Sequence, residues 1–387
     1  MTDALVVIVA GTSWDGIFNS ERHVALQLAQ RGPVLWVDPQ ISCLSPLRDR
    51  TALKALREER LRRVAPNIMR LTPVTVPGVS RPVLRELAAR QARRAVRRAV
   101  DRLGGRVHSV VVASLNDMLG AVPGAQRVFY GTDDFVAGAK LMGTDPRWFE
   151  RMERRQLELA DVVIAISPEL REKWSAHHDD IAVVPNGCDA EHFATADRAP
   201  LPADVELEGP IAGFVGHMSE RIDLDMLEAV ADTGVSLLLV GPRQPTFEIA
   251  KMDALFARPN VQWVGPKAFD ELPSYLRVVD VGLTPYRQSA FNRASVPLKT
   301  LEYLAAGRPV VASDLPAHRR LDTAHVTLAR TPTEFAERTR ERLLAPDRSG
   351  AAARRALGAR HSWAARAGDI ARLIGLDDEP AELREAA

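Results

Sequence analysis

The stretch Ser295–Ser313, SVPLKTLEYLAAGRPVVAS, limits the fold more than any other part of the chain. Its centre, LEYLAA, reads as a helix that puts Lys299 and Glu302 three residues apart on one face. Gly307 is a natural helix stop, Pro309 blocks continuation, and Val310-Val311-Ala312 reads as a buried parallel strand. Loop, helix, tight turn and strand in this order is how an open α/β sheet presents polar groups to a ligand beyond the carboxyl ends of its strands. A helix N-terminus in that place also offers free N–H groups to a phosphate.

The same alternation runs through the whole chain. Leu5–Ala10 reads as a strand, followed by the Gly-rich turn Gly11–Gly16, a helix over about 20–31 and a strand at Val34–Val37. An Arg/Glu-rich helix is expected near 51–63 and a long one over 82–103. Strands follow at Ser109–Ala113 and Arg127–Tyr130, a helix at about 147–160, and strands at Val162–Ile166 and Ile181–Val184. Residues 195–210, rich in proline and acids, read as a linker. Beyond it come strands at Ile211–Val215, Leu237–Val240, Val261–Val264, Val281–Thr284 and Val310–Ala312, with helices between. Two Rossmann-like α/β domains are therefore expected, over 1–195 and 205–360, with a final helix and an acidic tail in 361–387.

A chain of 387 residues is long enough for two such domains. Its net charge of +1 gives no global field for nucleic acid. Cys43 and Cys188 are far apart and need no disulfide, which fits a reducing compartment. Met1–Ala10 has neither a basic flank nor a long apolar core, so no signal peptide is expected, and no window reaches the ~20 apolar residues of a membrane span. A cytoplasmic protein is expected, with one qualification. Residues 81–106 hold nine arginines against Glu86 and Asp101, with Leu84, Leu87, Ala88, Ala92, Ala95, Val96, Ala99, Val100 and Leu103 at helical spacing. Such a basic amphipathic helix can dock at the inner face of an anionic membrane, or simply pack its alanine-rich face on a sheet.

Three segments together resemble the GT-B glycosyltransferases, in particular the retaining enzymes of glycosyltransferase family four. They are the opening stretch, Glu153–Phe193 (ERRQLELADVVIAISPELREKW…IAVVPNGCDAEHF), and Phe214–Leu227 (FVGHMSERIDLDML). The resemblance implies a GT-B fold with two Rossmann-like domains facing across a cleft, the last helix crossing back to the first domain. It implies a nucleotide-diphosphate sugar as donor, bound by the second domain, and a hydroxyl acceptor bound by the first. No metal and no cofactor are expected.

By this resemblance Glu302 holds the ribose hydroxyls and Lys299 approaches the diphosphate; a helix glutamate paired with Lys299 is the plainer reading. The family pattern has a second glutamate eight positions before Glu302, where this chain has Ala294, so Asn292 and Ser295 of the preceding loop are candidate sugar contacts. The family's phosphate loop carries an arginine after its glycine and a lysine five positions later; here His217 follows Gly216 and Arg221 stands four further on. Arg221 can fork onto a phosphate, or pair with Asp223 or Asp225. Gly241, Pro242 and Gly265 end strands whose backbones are expected to line the base and phosphate pocket. Asn186 and Gly187 can turn the chain between domains.

In the first domain Trp14, Asp15 and Gly16 form a candidate acceptor platform, with Trp14 as a core residue the equal alternative. Asp133 and Asp134 stand after a strand where many family members have a His-Asp pair; they can bind sugar hydroxyls or simply form an Asx turn. Asp133, Arg221 and Lys299 are the candidate catalytic residues. The expected function is transfer of a sugar to a cell-envelope polysaccharide, glycolipid or secondary metabolite, with the anomeric configuration retained. A nucleotide-sugar epimerase and a catalytically silent scaffold relative are the alternatives.

Overall fold

The computed structural model describes residues 4–16, 18–42, 44–45, 59–77, 82–347 and 349–376. Cys43, the 51–58 part of the expected helix near 51–63, and the tail from Asp377 lie outside them. The chain forms two compact units. One comprises residues up to Pro185 together with those from Arg366 onward; the other is Asn186–Ala365.

In the first unit the strands are β1 Leu5–Val9, β2 Val34–Val37, β3 Ile41–Ser42, β4 Leu61–Ala65, β5 Ile68–Leu71, β6 Val74–Thr75, β7 Val107–Val112, β8 Gln126–Gly131, β9 Val162–Ala165 and β10 Ile181–Val183. Among the described residues the main sheet runs β10-β9-β8-β7-β1-β2-β5-β4. All its pairings are parallel except β4 with β5. The strands are near-continuous apolar runs such as LVVIV and VLWV, as a sheet covered on both faces requires. Residues 61–63 thus belong to an edge strand, not to the expected helix. Asn67, with φ of 56°, turns the chain so that Leu61–Ala65 pairs back on β5, and this ladder overrides the local helix preference.

In the second unit β11 Ile211–Val215, β12 Ser236–Val240, β13 Val261–Trp263, β14 Val281–Thr284, β15 Val310–Ser313 and β16 Val326–Ala329 form an all-parallel sheet. Its order is β13-β12-β11-β14-β15-β16. The boundary of this unit falls earlier than the 195–210 linker expected from composition. Cys188, Ala190, Phe193 and Ala196 are already buried in its core, and burial outweighs a proline-rich composition as a marker of where a domain begins. The Asn186-Gly187 turn is pinned inside this unit: Cys188 and Trp363 exchange backbone bonds with His361 and Cys188, at 2.8 and 3.1 Å. A Cβ on Gly187 would lie 2.9 Å from the His361 carbonyl oxygen, which is why glycine stands there. The last helix, Trp363–Leu373, leads into the segment counted with the first unit, where the Ile374 carbonyl meets His108 Nε2 at 2.6 Å.

Candidate functional site

Each sheet has a place where successive strands stop adding on one side and start on the other. In open α/β sheets that switch point, beyond the carboxyl ends, is where ligands bind. In the second unit it lies between β11 and β14, and in the first between β1 and β7.

The second-unit switch point is lined largely by bare backbone. Gly216, Gly241 and Gly265 follow β11, β12 and β13. The Gly216 amide donates to the Val240 carbonyl (2.9 Å) and the Gly241 amide to that of Gly265 (2.8 Å). Gly241 has φ of +132°, and a Cβ there would sit 2.1 Å from the Gly216 carbonyl oxygen, so no side chain fits. Pro242 is exposed, and its carbonyl accepts from the Met218 amide at 2.9 Å.

Over this backbone stands the helix Leu298–Ala305. Its Tyr303, fully buried, accepts the Val215 amide on its hydroxyl at 2.7 Å and so ties the helix to the end of β11. One residue earlier on the helix, Glu302 is 8% exposed and receives Lys299 Nζ at 2.8 Å. Lys299 Cε would be 3.8 Å from a Cβ on Gly216, so the ammonium stem runs beside that glycine. Gly216, Lys299 and Glu302 are therefore brought together, with the ion pair of the plainer reading intact.

Arg221 is held rather than loose. Its Nε donates to Asn292 Oδ1 at 3.1 Å, and its guanidinium lies over the rings of Phe291 and Tyr286, at 4.8 and 5.6 Å. No bond to Asp223 or Asp225 joins it; Asp225 pairs with Lys251. Asn292 is 1% exposed, and both its amide hydrogens are spent on the carbonyls of Arg221 and Arg287, at 2.9 Å each. It fixes the Arg221 loop rather than presenting an amide. Ser295 is likewise spent, its hydroxyl donating to the Phe291 carbonyl at 2.9 Å, and Ala294 is buried. His217 is exposed next to Arg221; partial desolvation lowers its pKa, opposed by Glu220 and assisted by Arg221. Beneath the helix, His318 is fully buried between the Ser313 carbonyl (Nδ1, 2.7 Å) and Thr300 Oγ1 (Nε2, 2.9 Å). Burial pushes its pKa down to about 4, so it is neutral there.

The first-unit switch point is organised by carboxylates. Asp38, buried after β2, accepts the Trp14 amide (2.9 Å), Trp36 Nε1 (2.9 Å), Arg70 Nε (2.6 Å) and the Thr72 hydroxyl (2.7 Å). Arg70, also buried, reaches on to Asp15 Oδ2 (2.6 Å) and Ser13 Oγ (3.0 Å). The Trp14 ring is 6% exposed and packs edge-on to Trp36 with centroids 5.2 Å apart, so it is the core residue of the alternative reading and offers no platform. Asp15 and Gly16 remain on the surface, Asp15 also within 3.5 Å of Arg62.

Glu21 is buried and receives the amides of Gly11 (2.8 Å) and Thr12 (3.2 Å) and the Asn19 side chain (2.8 Å). Burial pushes its pKa up to about 7 against those bonds, with Asp133 adding to the rise. The hydroxyl of Tyr130, 1% exposed, is felt by both Glu21 and Asp133 and has no hydrogen-bond partner among the described residues. Asp133 thus belongs to a polar cluster. Its neighbour Asp134 is a helix N-cap, accepting the Ala137 amide (2.9 Å) and Lys173 Nζ (2.6 Å), which is the turn role. Among the described residues no group of three or more His, Cys, Asp or Glu is arranged to hold a metal.

Residues 209–344 match the family model described as Glycosyl transferases group 1. The whole chain superposes on solved structures of low identity. Sucrose-phosphate synthase from Thermosynechococcus elongatus gives a TM-score of 0.73 at 18% identity, over 99% of this chain and 100% of that one. The fold is that of the GT-B glycosyltransferases. A trehalose-6-phosphate structure from E. coli, bound with UDP-2-fluoro glucose, gives 0.68 at 13% identity over 96% and 99%. Anabaena HepE in complex with UDP and glucose gives 0.60 at 14% over 96% and 99%. In sequence, 181 residues are 33% identical to a protein named as the teichuronic acid biosynthesis glycosyltransferase TuaH of Bacillus subtilis (strain 168), covering 45% of each. A further 28% identity over 183 residues links it to D-inositol 3-phosphate glycosyltransferase of Nocardia farcinica (strain IFM 10152), over 42% of this chain and 40% of that protein. The matched regions span less than half the length of these curated relatives. No helix among the described residues is long and apolar enough to cross a membrane.

Proposed function

We propose that the protein is a glycosyltransferase that moves a sugar from a nucleotide-diphosphate sugar to a hydroxyl acceptor. The observation that carries this reading is the Lys299–Glu302 pair standing beside the bare Gly216 backbone at the second-unit switch point, within the region matched by the glycosyl transferases group 1 model. Glu302 can accept two vicinal ribose hydroxyls. The Gly216, Gly241 and Gly265 backbones leave room for base and diphosphate to approach closely.

When the glycosidic bond to phosphate breaks, negative charge grows on the departing diphosphate. Lys299 and the clamped Arg221 are the groups that stabilise it, a role worth several kcal/mol in a dry site. With two cations so placed, the reaction needs no divalent metal in this reading. The E. coli structure bound with UDP-2-fluoro glucose and the Anabaena structure in complex with UDP and glucose support a uridine diphosphate sugar as the first donor to try.

On the first unit, the half-buried Asp133 is the group for an acceptor hydroxyl. Retention of anomeric configuration follows from the family resemblance. Arg94 and Arg98, exposed and without a side-chain partner among the described residues, and the exposed Val83 and Leu87 on the helix Pro82–Leu103 support a peripheral contact with an anionic membrane and a lipid-linked acceptor. Its alanine face, Ala88, Ala92 and Ala99, is buried.

The test is a thermal-shift titration with UDP, GDP, TDP and ADP, with and without EDTA. A nucleotide that binds only the native state raises Tm by mass action. One nucleotide should stabilise strongly, EDTA should change nothing, and Glu302→Ala should abolish the shift. No shift with any of the four removes the donor site from the reading and leaves a silent relative.

A further inference from the structure

The helix Pro82–Leu103 does not use its arginines uniformly. Arg85 lies over the Trp148 ring (4.8 Å), Arg90 pairs with Glu86 (3.0 Å), Arg93 with Asp117 (3.1 Å), and Arg97 donates to the Ala121 carbonyl (2.8 Å). Arg94 and Arg98 do none of this. They line a cavity of about 270 Å³ between this helix and the end of β5, and Arg60 lines it from the other side. Among the described residues none of these three guanidiniums has a hydrogen-bond or ion-pair partner.

The rest of the wall gives the ligand a sign. Gln91 spends its Oε1 on the Val76 amide (2.8 Å), which leaves its amide nitrogen as a donor. The Thr72 hydroxyl is spent on Asp38. Leu71, Pro73, Val74 and Ala95 supply apolar floor. The wall therefore carries donors and positive charge, with no carboxylate among its described lining residues. Like charges four apart on a helix repel by a few tenths of a kcal/mol, and a third charge facing them adds to this. An anion would relieve that repulsion, and guanidinium forks fit phosphate oxygens in pairs. The cavity falls just below the small-molecule pocket range of about 300–1,000 Å³, which suits a phosphate or diphosphate group rather than a whole nucleotide.

Its position links it to the first-unit switch point. Thr72 both lines the cavity and donates to Asp38, and Asp38 holds the Trp14 amide of the Gly11–Gly16 loop. We infer that Arg60, Arg94 and Arg98 form a binding site for a phosphate or diphosphate group, and that the acceptor carries that group. The second half of this statement rests on the glycosyltransferase reading above; the anion site does not.

Calorimetric titration of inorganic pyrophosphate into the full chain tests it, with UDP present at saturation to occupy the donor site. Pyrophosphate should bind at one site that weakens with salt. Arg94→Gln/Arg98→Gln should lower the affinity at least tenfold, and Arg60→Gln, on the opposite wall, should do so independently. The UDP thermal shift should persist in these variants. A second arm separates two sources of the phosphate by co-sedimentation with phosphatidylglycerol and phosphatidylcholine vesicles. Loss of phosphatidylglycerol binding in the double variant, with pyrophosphate competing, assigns a lipid headgroup. Pyrophosphate binding with vesicle binding unchanged assigns a soluble or freely presented phosphate. Absence of both kinds of binding, or binding indifferent to all three arginines, overturns the site. If it does so while UDP still stabilises, the donor reading stands alone; if UDP fails and pyrophosphate binding is lost with the arginines, only the anion site survives.

Discussion

The two switch points begin alike, with a glycine at the end of a central strand, and then diverge. At Gly216 the sheet offers backbone, and the charged groups Lys299 and Arg221 are partly open. At Gly11 the backbone is held by buried carboxyl groups: Glu21 takes the Gly11 and Thr12 amides, and Asp38 takes the Trp14 amide and the Arg70 side chain. A surface of the first kind can meet an anionic ligand with little rearrangement. One of the second kind fixes the path of a loop and leaves recognition to whatever the loop exposes.

The sharpest way to break this contrast is to remove the hub of the first unit. Asp38→Ala leaves the buried Arg70 only its ion pair with the exposed Asp15 and frees three further donors, so it should cost about 3–5 kcal/mol. Chemical denaturation should show the loss, with the UDP thermal shift of the surviving folded protein intact. Equal loss from Asp223→Ala, a second-unit residue whose side chain makes no N-cap bond, would erase the distinction.

The units should also respond to pH with opposite signs. His318 is neutral in the fold with its pKa near 4, whereas the unfolded chain takes up a proton near 6.5. Its contribution is complete above pH 6.5 and is lost as pH falls toward 4. Glu21 holds its proton up to about pH 7 in the fold, against about 4.5 unfolded. Its contribution is complete below pH 4.5 and is lost as pH rises toward 7. Each is worth up to about 3 kcal/mol by linkage. Hydrogen exchange of strand amides should therefore show the second unit loosening in acid and the first toward neutrality, and Glu21→Gln should flatten only the latter trend.

Smaller effects refine the picture. Tyr303→Phe leaves the buried Val215 amide without its acceptor and should cost about 1–3 kcal/mol, with weaker nucleotide binding as the end of β11 loosens. Asp15→Asn, at an exposed carboxylate, should change stability by less than about 1 kcal/mol in a denaturant titration, because Arg70 keeps Asp38.

Much of the second-unit site could be read from the chain because it is local. Lys299, Glu302, Gly307 and the following strand fall within one short stretch, and each glycine ends a visible apolar run. The first-unit hub could not be read, since Asp38 and Arg70 are 32 positions apart and belong to separate strands. Nor did β4, hidden in an Arg/Glu-rich segment, or β16, a short VTLA run, announce itself. Trp14 could equally be a platform or core from its sequence position; only the edge-on contact with Trp36 decided it. The roles of Tyr303, and of the Asn292 amide nitrogen, were invisible because their bonds run to backbone atoms, which carry no residue identity.

That last point bears on Asp38. It grips the loop through the Trp14 amide, an atom every residue but proline possesses. The course of the chain from Gly11 to Gly16 is thereby uncoupled from much of its lettering. Side chains at its exposed positions, Asp15 above all, can be exchanged without redirecting the loop, making it a natural place to graft new selectivity onto an unchanged frame.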